Sequence, residues 1–315
     1  MQSLNKPSKL GINILGPLIF FSVKALFDTV RDHWPEYLIE AWGLGTFMVS
    51  ACVFGVLLFH PDSYFAEYST STRNIPMGIV MGLTAVAVFK SPWGKRSGAH
   101  INPVVTLTFF RLGKINGIDA VFYTIAQFVG GIAGVLFAWL ILGDLIAVKE
   151  VNFVPTVPGM YGIAAAFAGE VVIAFLMMLM VLFTSNHRSL YRYTPFIAGL
   201  FVAIYIFIES PISGMSMNPA RTLGSAVVGN TWNAWWIYFT APPIAMLGAA
   251  EVYVRTRGLK SVLCAKFDHS GLVRCIFNCR FGELLKIQGP KNNAATEHIE
   301  VTKQAQMSRT VPGLF

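Results

Sequence analysis

Six stretches of the chain carry apolar runs close to the length that a bilayer demands. They fall at about 37–59, 75–89, 118–142, 161–183 and 194–208, and the sixth runs on to about 254. A helix crossing a hydrocarbon core of about 30 Å needs about 20 apolar residues. Polar connectors separate the runs, and the one at 144–159, with Pro155 and Pro158, divides the chain into two halves. The third run carries Gln127 and Gly130, Gly131 and Gly134, a glycine spacing that lets helices approach closely in lipid. Trp232, Trp235, Trp236 and Tyr238 form an interfacial aromatic cluster before the sixth run, which tolerates Pro242 and Pro243 if neighbouring helices compensate. Ahead of all six, residues 10–23 are apolar but short, and read as a helix lying in the interface. No small-residue cleavage site follows to mark a signal peptide.

One ten-residue pattern occurs twice. Residues 97–106 read SGAHINPVVT and residues 213–222 read SGMSMNPART, with Ser, Gly, Asn, Pro and Thr at matching offsets. Asn caps a helix and Pro at its first position supplies the required φ, so each copy starts a helix. The ten residues 102–111 make about 15 Å of helix, half a bilayer. The residues before each Pro are extended, and non-helical backbone survives at membrane depth only where it is buried or lines a wet cavity. Gly98, Ala99 and His100, with Gly214, Met215 and Ser216, are therefore candidate pore carbonyls. Short, interrupted segments in matching places of two halves point to a transport site at the midplane. A single NP would be no more than an ordinary helix cap in a loop.

Composition agrees: 54% of residues are hydrophobic and 13% charged, against about 25% charged in soluble domains. Mean hydropathy is +0.57. The net charge of +8 lies mostly in particular connectors and the C-terminal stretch, so it argues for membrane topology and not for nucleic acid. The basic connectors alternate with acidic ones at 60–74 and 144–159, which places both termini in the cytoplasm. Three spans per half is odd, so the halves enter from opposite faces. Two half-helices then meet at the centre with their N-termini converging, and Asn102 and Asn218 offer amide donors there. Water in a narrow file accepts from those amides and donates to the carbonyls, so the central molecule cannot also relay a proton, and the positive potential repels cations.

These residues resemble the aquaporin and aquaglyceroporin (major intrinsic protein) family, over about residues 36–256. The resemblance implies an all-α membrane protein with an hourglass fold: six transmembrane helices plus two half-helices in an inverted repeat (about 36–143 and 160–256). A leader (1–35) and a basic cytoplasmic tail (257–315), disordered past about residue 288, flank it. It also implies a homotetramer in the cell membrane and no cofactor. The pore motifs are Asn102, Pro103 and Val104, where the family has Ala, and Asn218, Pro219 and Ala220. Arg221 resembles the constriction arginine, and Met81 (or Gly82), Ile206 and Met215 match the remaining filter positions. The aromatic and histidine usual in strict water channels are missing, and Thr222 replaces the Asp common in glycerol facilitators. The filter therefore leaves water, glycerol, urea, peroxide and ammonia open as solutes. Glu40 and Glu170 correspond in the two halves and resemble the family's structural carboxylates. His100 is read either as a satisfied buried histidine or as pore-lining.

Cys264, His269, Cys275 and Cys279 fit no disulfide framework; zinc ligation, free thiols and palmitoylation remain open. The reading that follows is a passive channel for water and small uncharged solutes. The alternative is an ion- or proton-coupled secondary transporter, which needs a spare carboxylate near the motifs, and none is expected there. No clustered acid, base and nucleophile suggests an enzyme.

Overall fold

The computed structural model describes residues 23–271 and 273–286. The helices are α1 (Val23–Phe59), α2 (Thr70–Lys90), α3 (Pro92–Ser97), α4 (Pro103–Arg111), α5 (Gly117–Leu142), α6 (Gly162–Ser185), α7 (Thr194–Ser213), α8 (Pro219–Gly229), α9 (Ile237–Arg257) and α10 (Phe281–Lys286). Among the described residues there is no strand, and α1, α2, α5, α6, α7 and α9 are long and apolar enough to cross a membrane. Their outward faces keep large apolar side chains exposed, such as Leu57, Leu83, Val129, Leu140 and Ile244. That is the pattern of a surface solvated by lipid.

Local chemistry explains where the helices run past the apolar windows. Within the described residues helix α1 is already formed at residue 23, well ahead of 37, because charged residues such as Arg31, which pairs with Asp28 and Asp32, interrupt the apolar window that a hydropathy reading follows. Glu36 is fully buried and accepts from Arg96 Nε at 3.0 Å, while Tyr37 donates to Asp119 at 2.6 Å. Helix α2 begins at Thr70 on a Ser69 cap, and Ser91 with Pro92 starts the unforeseen short α3. The expected interfacial helix at 10–23 lies almost wholly outside the described residues, as does the disorder expected past 288.

The two halves repeat with inverted sense. Helix α1 packs on α5 as α6 packs on α9, and α2 crosses α7. Glycines set these approaches. A β-carbon on Gly134 would sit 2.5 Å from the Gly45 carbonyl oxygen, and one on Gly82 would sit 2.5 Å from that of Gly199. Gly134→Val must push α1 from α5, at about 1–3 kcal/mol or more. We expect a lower unfolding temperature in detergent, whereas Gly282→Ala, which meets nothing within 4 Å, leaves it unchanged.

Beyond α9 the chain folds back across one end of the bundle. Asn278 N–H donates to the Lys114 carbonyl at 2.9 Å, Leu263 N–H to Asn186 Oδ1 at 2.7 Å, and Arg274 to the Asp32 carbonyl at 3.1 Å. Lys90 pairs with Asp268 at 2.9 Å. Burial works against the Asp268 carboxylate, but hydrogen bonds from Ser270 and Lys90 outweigh it and hold the group below its usual range. Residues 259–271 and 273–283 thus lie on the helices and do not trail from them as a free tail.

Candidate functional site

The two repeated segments build matching re-entrant loops. Gly98 and Gly214 terminate α3 and α7 in left-handed conformation (φ 92° and 76°). Ala99 and Ile101 (φ 53° and 42°) then match Met215 and Met217 (φ 48° and 54°), each pair 116 residues apart. Left-handed backbone at non-glycine residues costs about 1–3 kcal/mol apiece. Two buried carboxylates hold it. Glu40 accepts from Ser97 Oγ (2.7 Å), His100 N (3.1 Å), Ile101 N (2.6 Å) and Gln127 Nε2 (2.8 Å). Glu170 accepts from Ser213 Oγ (2.9 Å), Ser216 N (2.7 Å) and Met217 N (2.7 Å). Tyr123 and Tyr238 complete the correspondence by donating to the Ser97 and Ser213 carbonyls.

Each loop delivers an asparagine to the start of a half-helix. Asn102 Oδ1 accepts from Val104 N at 2.9 Å, and Asn218 Oδ1 accepts from Ala220 N at 3.0 Å and Arg221 N at 3.2 Å. Val104 in place of Ala leaves the cap intact and is itself buried. The amides cross over: Asn102 Nδ2 donates to the Met217 carbonyl and Asn218 Nδ2 to the Ile101 carbonyl, both at 2.8 Å. One N–H of each amide is so used, which leaves each amide a second donor.

Both asparagines lie on the wall of one cavity of about 430 Å³. Met81, Ile206, Met215 and Arg221 line it as well, with Gly214, Ser216 and His100. Gly82 instead packs against α7, so of the two alternatives only Met81 reaches the cavity. Arg221 donates to the Val154 carbonyl at 2.9 Å, a contact from the 144–159 connector that the sequence did not signal. His100 is a satisfied buried histidine at the cavity's edge. Its Nε2 donates to the Ala265 carbonyl (2.9 Å), its Nδ1 accepts from Thr106 (3.0 Å), and the buried ring still borders the cavity.

Two expectations need correction. Gly98 and Ala99 do not line the cavity: the Gly98 carbonyl accepts from Phe267 N–H at 3.3 Å, a residue far along the chain. A spare carboxylate also exists, since Glu209 on α7 is buried and its Oε1 has no hydrogen-bond partner among the described residues. It faces Gly169 of α6 and is absent from the cavity wall.

Residues 30–253 match the family model of the major intrinsic protein. The chain belongs to this family. Among relatives, aquaporin NIP2-3 of Zea mays is 31% identical over 252 residues, covering 80% of this chain and 79% of the relative. Aquaporin A of Dictyostelium discoideum is 32% identical over 190 residues, 58% of this chain and 66% of the relative. An aquaglyceroporin from Plasmodium falciparum shares the fold, with a TM-score of 0.58 at 17% identity, covering 70% of this chain and 95% of that one. As a major intrinsic protein the chain is an integral membrane protein and a passive channel for water and small solutes, not an enzyme.

Proposed function

We propose that the cavity is the conducting path for water and small uncharged solutes, with Met81, Ile206, Met215 and Arg221 as its selectivity filter. The observation that carries this is the crossed pair of asparagines, each capping a half-helix and bracing the opposite loop at 2.8 Å. Their free N–H groups and the positive helix ends orient a passing dipole and oppose a cation. The carbonyls of His100, Gly214, Met215 and Ser216 accept from the solute on its way. Three apolar filter side chains, two of them adaptable thioethers, leave Arg221 as the polar contact at the filter. That combination suits neutral solutes somewhat larger than water, such as glycerol or urea. The pore unit spans about 36–256, assembles as a homotetramer in the cell membrane and keeps both termini in the cytoplasm.

Stopped-flow light scattering on proteoliposomes, with water, glycerol and urea measured side by side, tests the path. The expected result is non-saturating flux of low activation energy that ignores sodium and proton gradients. Uptake that requires a cation gradient would favour coupled transport. Flux equal to that of empty liposomes, both for the intact chain and for Phe267→Ala, would overturn the reading.

A further inference from the structure

We propose that Cys264, His269, Cys275 and Cys279 form a zinc site that clips the C-terminal segment across the cytoplasmic mouth, with Phe267 as its stopper. The four side chains come from a stretch with little regular structure, yet their ligand atoms all lie within 4.8 Å of one another. Cys264 Sγ is 3.5 Å from Cys275 Sγ, and Cys279 Sγ is 3.2 Å from His269 Nε2. Tetrahedral zinc, with bonds of about 2.3 Å to sulfur and about 2.0 Å to nitrogen, sets the S–S edge at about 3.8 Å and the S–N edge at about 3.5 Å, so both pairs need to open by about 0.3 Å to hold the ion. A disulfide would need sulfurs at about 2.05 Å. Three thiolates and an imidazole are a soft donor set that suits zinc and not magnesium or calcium.

The surroundings fit such a centre. Zinc with three thiolates carries one net negative charge, and two buried lysines, Lys114 and Lys266, interact electrostatically with these cysteines. Among the described residues Lys266 belongs to no ion pair with a carboxylate, and Lys114 also interacts electrostatically with Glu283. Lys266 Nζ donates to the Arg274 carbonyl at 2.6 Å, which ties together the two ligand-bearing stretches. Phe281 N–H points at Cys279 Sγ (3.5 Å), and the Phe281 ring stacks on His269 at 4.2 Å, fixing its plane.

The ligands bracket the residues that touch the pore. Between Cys264 and His269 lie Ala265, whose carbonyl accepts from His100, and Phe267, whose N–H donates to Gly98. Between Cys275 and Cys279 lies Phe277, stacked on His100 at 5.4 Å and 13°. The Phe267 ring meets Phe89 at 5.1 Å, and among the described residues beyond Gly258 Phe267 alone lines the cavity. With bound zinc both loops are pinned and the ring narrows the lumen without closing it. Loss of zinc frees them together, because one ion fixes both.

The stopper half rests on the channel reading and the metal half does not, so the test reads them separately. The intact chain, purified under reducing conditions without a polyhistidine tag, is expected to carry about one zinc per chain by mass-spectrometric metal analysis. Cys264→Ser with Cys275→Ser loses it, and Cys52→Ser, in α1, keeps it. Cobalt substituted for zinc is expected to show thiolate charge-transfer bands and the intense visible bands of a tetrahedral site. Failure to retain stoichiometric zinc even after incubation with zinc alone, or a cobalt spectrum without thiolate bands, overturns the site. In proteoliposomes, a membrane-permeant chelator is expected to raise water permeability several-fold, reversibly on adding zinc. Phe267→Ala is expected to match that rise while still binding zinc. Zinc bound with permeability unmoved by chelator and by Phe267→Ala overturns the stopper, whereas absent flux in every form sinks the channel reading and leaves the metal count standing.

Discussion

Replacing Glu170 by alanine is expected to abolish flux and leave little folded protein at physiological temperature. The carboxylate accepts three hydrogen bonds, from Ser213, Ser216 and Met217, and is fully buried. Hydrogen bonds to a charged group contribute about 1.5–3 kcal/mol each, and the deserted donors would have no water to turn to. A loss of about 5 kcal/mol or more compares with a total stability of about 5–15 kcal/mol. The left-handed residues Met215 and Met217 also lose the partner that holds them. Glu170→Gln is no conservative change. Its Oε1 can keep Ser213 and Ser216, but its amide then points N–H groups at the Met217 N–H, a mismatch of about 2–3 kcal/mol. Unfolding followed by intrinsic fluorescence should rank wild type above Glu170→Gln above Glu170→Ala. Equal unfolding temperatures for all three would show that the loop holds itself.

The same loop shows how far the sequence could be read. Two decapeptides 116 residues apart become two loops whose positive φ angles, carboxylate partners and tyrosine braces also correspond. Local signals suffice there: Asn-Pro caps a helix wherever it sits, and a half-span helix has few ways to lie in a bilayer. The family resemblance brought Met81 to the filter with Gly82 as its alternative, and the α2–α7 crossing, which buries Gly82 against Gly199, separates the two. The segment carrying Phe267 was illegible for a different reason. Nothing in AKFDHS says that Ala265 will accept from a histidine 165 residues earlier, because that contact is set by the closure of a long loop. Glu209 escaped notice because the apolar reading ended the fifth span at 208, whereas α7 continues to Ser213 and takes the carboxylate inside.

Arg221→Val is expected to keep water permeability within about two-fold while widening what passes, since the fold around it barely depends on the guanidinium. Asn218 caps α8 through backbone amides, including the Arg221 N–H that valine retains, so the half-helix stays in place. What disappears is a fixed positive charge on the cavity wall, anchored to the Val154 carbonyl at 2.9 Å. A monovalent cation passing roughly 7 Å from that charge meets a barrier of about 2 kcal/mol at an effective dielectric constant of about 20, or about 30-fold in rate. The half-helix dipoles remain and keep part of the barrier, so the leak rises without becoming free conduction. The shorter side chain also clears space beside Met215 and Ile206, so urea and glycerol should gain relative to water. Proton and potassium leak measured with entrapped dyes, beside stopped-flow solute uptake, separates the two effects. A variant whose cation leak and solute cut-off both match the parent would move the filter away from Arg221, and would leave charge exclusion to the paired asparagine-capped helix ends alone.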